Sequence, residues 1–586
     1  MKIKKKFTDA ILFKDGLEIE ILDNITSLFG IKLKSNNAVI FGFLNAGKIK
    51  NLRDSKIIIK YIERHSAAGQ LPGSSNLEEN VHSQKNSIIE KKITRQISPL
   101  LKLNKFNMDI ELNLLLESGN SGYPSDSLAM NCAMILSYIS GIIDFPYYTG
   151  RFCSGQSGIQ IEPGFKEINR SKFSVLISWT SEKLIFLEAS GREFSEYQIE
   201  NIKRIIETGQ SGYFEFLKDL KNESGIDLKL NGVLSEDADF DIKRSIENII
   251  LANKELIEGI YVYDSYKTRI EELTKLSSIL LKNAELSTDI NIKNFDEFKN
   301  YYFYSFYRIL LNIVKENLNQ KKRLYDDYAN KITDIEIEIT KNKNTSVCRI
   351  NRKVTDAIVS VTSLRQKEEN SEEGQQVKRT KNKIEKFVKI NDDVDFRSES
   401  KFYNISNFFG NNINVLLGDR ILSDEYKPLR SGQIETALNK IINFNKLLEQ
   451  NSAHRMVTEY ISSDGSEISV PINAINILKY FHPEETFNNV FYEDAGCLEF
   501  AYLIEQNYLI LEPVFIEEAA ADLRICIIGD ERNIKYLNII SNCQGVETGK
   551  LIKAIKECKT ILKNFLRTLI SGVNKNRNNL NFSVRF

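Results

Sequence analysis

The chain is poor in residues that would hold a zinc ion or a disulfide. Its seven cysteines, Cys132, Cys153, Cys348, Cys497, Cys526, Cys543 and Cys558, are scattered over 586 residues without one Cys-x-x-Cys pair, and its four histidines stand apart. This argues against a zinc site and for a compartment that keeps thiols reduced. No window approaches 18 uninterrupted apolar residues, so no membrane span is expected. An excess of either charge is also missing. The 79 Lys plus Arg balance 79 Asp plus Glu, so there is no bulk basic field for nucleic acid and any such contact has to be local. The basic start, MKIKKKF, runs into Thr8-Asp9 without an apolar stretch, so no secretory signal is expected.

What is present is ordinary globular composition, 42% hydrophobic and 27% charged, in a chain long enough for two or three domains. β-Branched runs at Leu17 to Ile21, Ala38 to Phe41 and Lys56 to Ile62 predict strands joined by turns. Ser87 to Leu101 places Ile88, Ile89, Ile93 and Ile97 on one helical face. A strand at Leu114 to Glu117 ends in a Gly119 turn, and a helix follows from about Ser125, its cap, to Gly141, its stop. Lys172 to Glu188 alternates at Phe173, Val175, Ile177 and Trp179 before a Thr-Ser-Glu-Lys turn, the pattern of a hairpin. Helix is expected over Ser195 to Leu217 and from about Glu236 to Leu318, where one apolar stripe runs through Ile242, Ile246, Ile249, Ile250, Leu256 and Ile257. New strands are expected at Ile335 to Ile339 and Ala357 to Val361, and the charged run between Gln366 and Ser400 reads as a flexible insertion.

The order strand, Gly turn, helix, hairpin then recurs, with a strand at Met456 to Ile461, a turn at Asp464-Gly465, a helix at Pro471 to Tyr480 and a hairpin at Asp522 to Ile539. Gly119 and Gly465 stand 346 residues apart, and the hairpin starts Lys172 and Asp522 stand 350 apart. Two landmarks with nearly one offset predict a duplicated α/β core.

Tyr61 to Gly73, YIERHSAAGQLPG, is by composition a tight connection closed by a Pro-Gly turn. It also resembles the Tyr-x-Glu-Arg-x-x-Ala-Ala-Gly-x-x-Pro-Gly segment of polynucleotide phosphorylases, of the ribonuclease PH superfamily, at Tyr61, Glu63, Arg64, Ala67, Ala68, Gly69, Pro72 and Gly73. Ile93 to Leu100 is similar to a helix of that family, Lys322 to Tyr328 to the segment that opens its second core, and Arg352 and Ala357 to the ends of an Arg-Gly-Glu-Thr-Gln-Ala motif. The resemblance implies an α/β (α+β) chain of two tandem ribonuclease PH-like cores with the ribosomal protein-like βαβ fold, at residues 1–228 and 320–586. An all-helical domain at 229–319 joins them, and the second core carries the charged insertion at about 366–400.

In such enzymes inorganic phosphate attacks the last phosphodiester of single-stranded RNA and releases a nucleoside diphosphate, in a reaction that also runs backwards to tail RNA. This chemistry needs an anion nest, cations for the phosphoryl charge and carboxylates for a divalent metal. The resemblance implies Asp522, Arg524 and Arg430 as catalytic, Gly465 and Ser466 as phosphate-binding, Arg352 and Arg64 as RNA-binding, and Asp522 with Glu517 as ligands of Mg2+ or Mn2+. It also implies phosphate as co-substrate, a homotrimer, partners in an RNA-degradation complex, and residence in the cytoplasm or an organelle matrix. The chain departs from the family pattern at several of these positions. Glu467 stands in the phosphate nest, Ile516 where the second carboxylate belongs, Ser431 after Arg430, and Leu77-Glu78 where two arginines line the RNA entrance; the family's KH and OB-fold domains are not expected within these 586 residues. A carboxylate about 4 Å from phosphate repels it by roughly 4 kcal/mol at an effective dielectric of 20, about a thousandfold in affinity. The alternative implied is an inactive, ring-forming scaffold or RNA-holding protein of the same fold.

Overall fold

The computed structural model describes the chain apart from residues 1–2, 9–10, 23–26, 37, 49–56, 64–75, 102–107, 120–121, 157, 227–239, 264–265, 288–294, 325–333, 342–344, 352–354, 365–383, 391–452, 464–467 and 482–494. It divides into two compact units, one of Met1–Ile257, Leu276–Leu310 and Asn538–Lys553, the other of Glu258–Lys275, Leu311–Leu537 and Ala554–Phe586. Among the described residues no helix is long and apolar enough to cross a membrane.

The first unit begins with strands β1 (Lys4–Phe7), β2 (Leu17–Ile21), β3 (Phe29–Ser35), β4 (Ala38–Lys48) and β5 (Ile57–Glu63), then helix α1 (Asn76–Ile97) and strand β6 (Met108–Ser118). They form one sheet in the order β1-β2-β3-β4-β6-β5. Its only parallel pair is β5 with β6, because α1 is the crossover that a parallel connection requires. Strict alternation puts Leu17, Ile19 and Ile21 of β2 inside. Helix α2 (Asp126–Ile139) is buried along its whole length, as its run of Leu, Met, Cys and Ile demands. Next come β7 (Tyr148–Ser154), β8 (Ile159–Ile161), α3 (Phe165–Arg170), β9 (Phe173–Trp179), β10 (Lys183–Phe194) and α4 (Glu196–Ser224), with the strands ordered β8-β7-β9-β10.

Among the described residues the helices α5 (Phe240–Ala252), α6 (Lys254–Glu258), α7 (Tyr266–Ser287) and α8 (Phe295–Asn319) follow. The second unit contains β11 (Ile335–Lys341), β12 (Thr345–Asn351), β13 (Thr355–Leu364), β14 (Ile384–Ile390), β15 (Ala453–Ser463), α9 (Ser469–Leu478), β16 (Gly496–Leu503), β17 (Tyr508–Leu511), α10 (Phe515–Ala520) and β18 (Leu523–Gly529). The chain closes with β19 (Ile534–Ser541), β20 (Val546–Glu547), α11 (Thr548–Lys575) and β21 (Asn581–Val584).

The expected duplication is present in the strand order. The second sheet, β21-β11-β12-β13-β15-β14, matches the first position by position, with the last pair again parallel. Even the register shift recurs, between Val39 and Ile40 of β4 and between Asp356 and Ala357 of β13. In each unit an asparagine of the buried helix clasps a strand residue. Asn131 donates to the Thr149 carbonyl at 2.6 Å and accepts from its N–H at 3.0 Å, while Asn473 does the same to Cys497 at 2.9 and 3.0 Å. Two non-glycine residues at positive φ also correspond, Glu162 at 45° and Glu512 at 47°.

Four expectations need correction. Helix α1 starts at Asn76, well before Ser87. Ser125 precedes α2 without capping it, because its hydroxyl donates to Glu63 at 2.8 Å. The stripe through Leu256 breaks because α5 ends at Ala252 and α6 begins at Lys254; the phase resets and Leu256 is 58% exposed. The charged run is not featureless, since β14 lies within it, parallel to β15, where Ile384-Glu-Lys-Phe-Val-Lys-Ile390 supplies β-branched and aromatic residues.

Candidate functional site

Arg64, Arg352, Arg430, Gly465 and Ser466 lie outside the described residues. The candidate site is therefore built from Glu517, Asp522 and Arg524, all in the second unit, and from what these side chains touch.

Glu517 is the third residue of α10, and its carboxylate turns back to accept the N–H of Val514 at 3.2 Å. This is the reach of a capping residue, satisfying an N–H that the helix cannot. Arg323 lies across the same carboxylate, with Nη2 donating at 2.7 Å and Nε at 3.2 Å to each oxygen, and the Leu324 N–H adds a bond at 3.1 Å. Both side chains are buried, at 3% and 0% exposure. Arg323 also donates to the carbonyls of Leu511 and Glu512, and Arg269 holds the Arg323 and Leu324 carbonyls at 2.9 and 3.0 Å. Glu517 thus anchors the segment after α8 onto the β17–α10 corner.

Asp522 ends the corner before β18. Its Oδ1 accepts Lys315 Nζ at 2.5 Å and its Oδ2 accepts the N–H of Ile504 at 2.8 Å. Arg524, two residues on, donates from Nη2 to Glu499 Oε2 at 2.8 Å and from Nε meets Glu518. Glu499 Oε1 accepts the N–H groups of Ile468 and Ser469, at 2.8 and 3.2 Å, where α9 begins. Glu499, Glu518 and Arg524 are all buried.

The three expected residues therefore share a corner of the fold but not a ligand position. Glu517 is committed to Arg323, Asp522 to Lys315, and Arg524 to Glu499 and Glu518. The residues do not fit the implied divalent cation as arranged, since a metal on Glu517 would leave buried Arg323 without its counter-charge. Breaking such a pair costs about 3–5 kcal/mol. Among the described residues no group of three or more His, Cys, Asp or Glu side chains is placed to hold a metal ion. The sequence held a signal for this role of Glu517. At the offset of 350 it matches Glu167, the third residue of α3, whose carboxylate accepts the Gly164 N–H at 2.6 Å in the same capping role.

The first unit carries a related cluster at the start of α2. Asp126 accepts the Ser127 N–H at 2.9 Å and pairs with Arg151, while Lys92 lies 4.0 Å away. Burial alone would push the Asp126 carboxyl up, but Arg151 and Lys92 hold it below its ordinary range. Glu162 accepts the Arg151 N–H at 3.1 Å and the Ser127 hydroxyl at 2.8 Å, yet burial pushes its carboxyl up to about 7.

No family model matches the chain. Curated relatives do. The chain is 26% identical over 255 residues to a polyribonucleotide nucleotidyltransferase of Legionella pneumophila (strain Corby), covering 41% of this chain and 33% of the relative. The chain is thus similar, at low identity and over part of its length, to polyribonucleotide nucleotidyltransferases. Those of Prochlorococcus marinus (strain MIT 9211), 26% identical over 181 residues, and Phytoplasma mali (strain AT), 28% identical over 207, match 30% and 34% of this chain and 24% and 28% of their own lengths. The chain thus spans about a third or less of these nucleotidyltransferases. Among solved structures, Rrp46 of rice (Oryza sativa) aligns with 35% of this chain and 94% of its own at a TM-score of 0.29 and 10% identity.

Proposed function

We propose that this chain works on single-stranded RNA, in RNA degradation or processing, as a ring-forming member of the ribonuclease PH-like fold whose second unit holds RNA without cleaving it. The nucleotidyltransferase name shared by its relatives supports the substrate class. The observation that carries the absence of cleavage is the internal pairing of the candidate site. Glu499 and Glu518 share Arg524, Glu517 pairs with Arg323 and Asp522 with Lys315, in a mostly buried network. A site for phosphorolysis needs cations and carboxylates free to meet phosphate and metal, and here they meet each other. We take the ring to be a homotrimer, with partners in an RNA-degradation complex. Its setting is a reducing one, the cytoplasm or an organelle matrix, consistent with seven free cysteines.

The test is incubation of the full chain with end-labelled single-stranded RNA, magnesium and millimolar phosphate. RNA retained on the protein with no nucleoside diphosphate above an Asp522→Ala control supports the reading. A second reading, a weak phosphorolytic exoribonuclease using Mg2+ or Mn2+ and phosphate, is favoured by one detail. The Lys315 side chain paired with Asp522 is 39% exposed, so this pair is the most easily opened of the network. Phosphate-dependent release that Asp522→Ala abolishes would establish that reading instead.

A further inference from the structure

Glu499 is an anion already bound at the start of a helix. Its Oε1 takes the N–H groups of Ile468 and Ser469, at 2.8 and 3.2 Å, its Oε2 takes Arg524 Nη2 at 2.8 Å, and the side chain is fully buried. Helix-terminal amides beside an arginine offer an oxyanion its preferred partners. Here the chain supplies that oxyanion itself.

The first unit reaches the same end with different residues. The matched hydrogen bonds, Glu162 N–H to the Arg151 carbonyl and Glu512 N–H to the Glu499 carbonyl, make Arg151 the counterpart of Glu499. Asp126, from α2 itself, supplies the carboxylate to the helix amide there, and Arg151 supplies the cation. Carboxylate and arginine have moved to other positions, yet the start of the buried helix is filled by an internal ion pair in both units.

We propose that Glu499 is a built-in anion that fills the oxyanion position formed by the first amides of α9 and Arg524, closing the second unit to inorganic phosphate. The proposal deepens the holding reading above and rests on it. It is tested without RNA, so that the two can fail separately: release of nucleoside diphosphate would sink the holding reading whatever phosphate does here.

The experiment titrates phosphate, against chloride at matched ionic strength, into the full chain and follows thermal unfolding and the phosphorus resonance linewidth. The wild type is expected to show no saturable millimolar response. Glu499→Ala should melt lower in chloride and recover with phosphate, binding it at least tenfold more tightly than the wild type. Glu499→Gln, which keeps an oxygen for the amides, should show no recovery. Should Glu499→Ala fail to fold in chloride, folding restored by phosphate supports the proposal, and no restoration overturns it. A folded Glu499→Ala that gains no phosphate affinity also overturns it, as does saturable phosphate binding by the wild type that is lost in Arg524→Ala.

Discussion

Replacing Glu517 by alanine separates a capping anchor from a metal ligand. A ligand can be removed with little harm to the fold, whereas an anchor cannot. In the structure the Glu517 carboxylate receives Arg323 Nη2 and Nε and the N–H groups of Leu324 and Val514, with no exposure to solvent. Its loss leaves a buried guanidinium unpaired, about 3–5 kcal/mol, and uncaps α10, about 1 kcal/mol more. A destabilisation of about 4–6 kcal/mol is a large share of the roughly 5–15 kcal/mol that holds a folded domain together. The only tryptophan, Trp179, lies in the first unit, so a probe at the corner itself is needed. Amide hydrogen exchange read at Val514 and Leu324 is the suitable assay, and both sites should exchange at least about a thousandfold faster in the variant. Wild-type protection at both amides in Glu517→Ala would refute the anchor.

Three further outcomes follow from the same geometry. Asn131→Ala and Asn473→Ala each orphan one buried N–H and one buried carbonyl. Each should cost about 2–5 kcal/mol, visible in urea unfolding by Trp179 fluorescence for the first and by hydrogen exchange at Cys497 for the second. Glu162 titrates near 7 when folded, above its ordinary 4.5, so the folded chain binds the extra proton. Its contribution is complete below about pH 4.5 and is lost as pH rises through about 7, a swing of roughly 3 kcal/mol. Glu162→Gln should flatten the fall in stability over that window, and an unchanged pH profile would contradict the assignment. Asp126 acts in the opposite sense, since its carboxyl is held low: its contribution disappears in acid, and Asp126→Asn should lose stability at neutral pH but not at low pH.

Much of the fold was legible because the signals are local. The alternation in Phe173 to Trp179 and the spacing of the two hairpins depend on near neighbours in the chain, and the duplication they predict reappears in strand order and in a shared bulge. The site was less legible because its meaning lies in pairings across the chain. Glu517 finds Arg323 across 194 residues and Asp522 finds Lys315 across 207, and no spacing rule connects such partners. The resemblance, which sets a carboxylate beside Ile516, made Glu517 a candidate ligand. Its correspondence with Glu167, visible at the offset of 350, would have marked it as a cap. Strand β14 was hidden by the charged residues around it, since composition over a long window outweighed seven residues that include Ile384, Phe387, Val388 and Ile390.

The central claim is that the carboxylates of the second unit are spent on the chain's own cations. Titrating Mn2+ into the full chain and counting the free ion by electron paramagnetic resonance tests it most directly. The account predicts no saturable site tighter than millimolar, and identical curves for the wild type, Asp522→Ala and Lys315→Ala. A site of micromolar affinity in the wild type that vanishes in Asp522→Ala would contradict it.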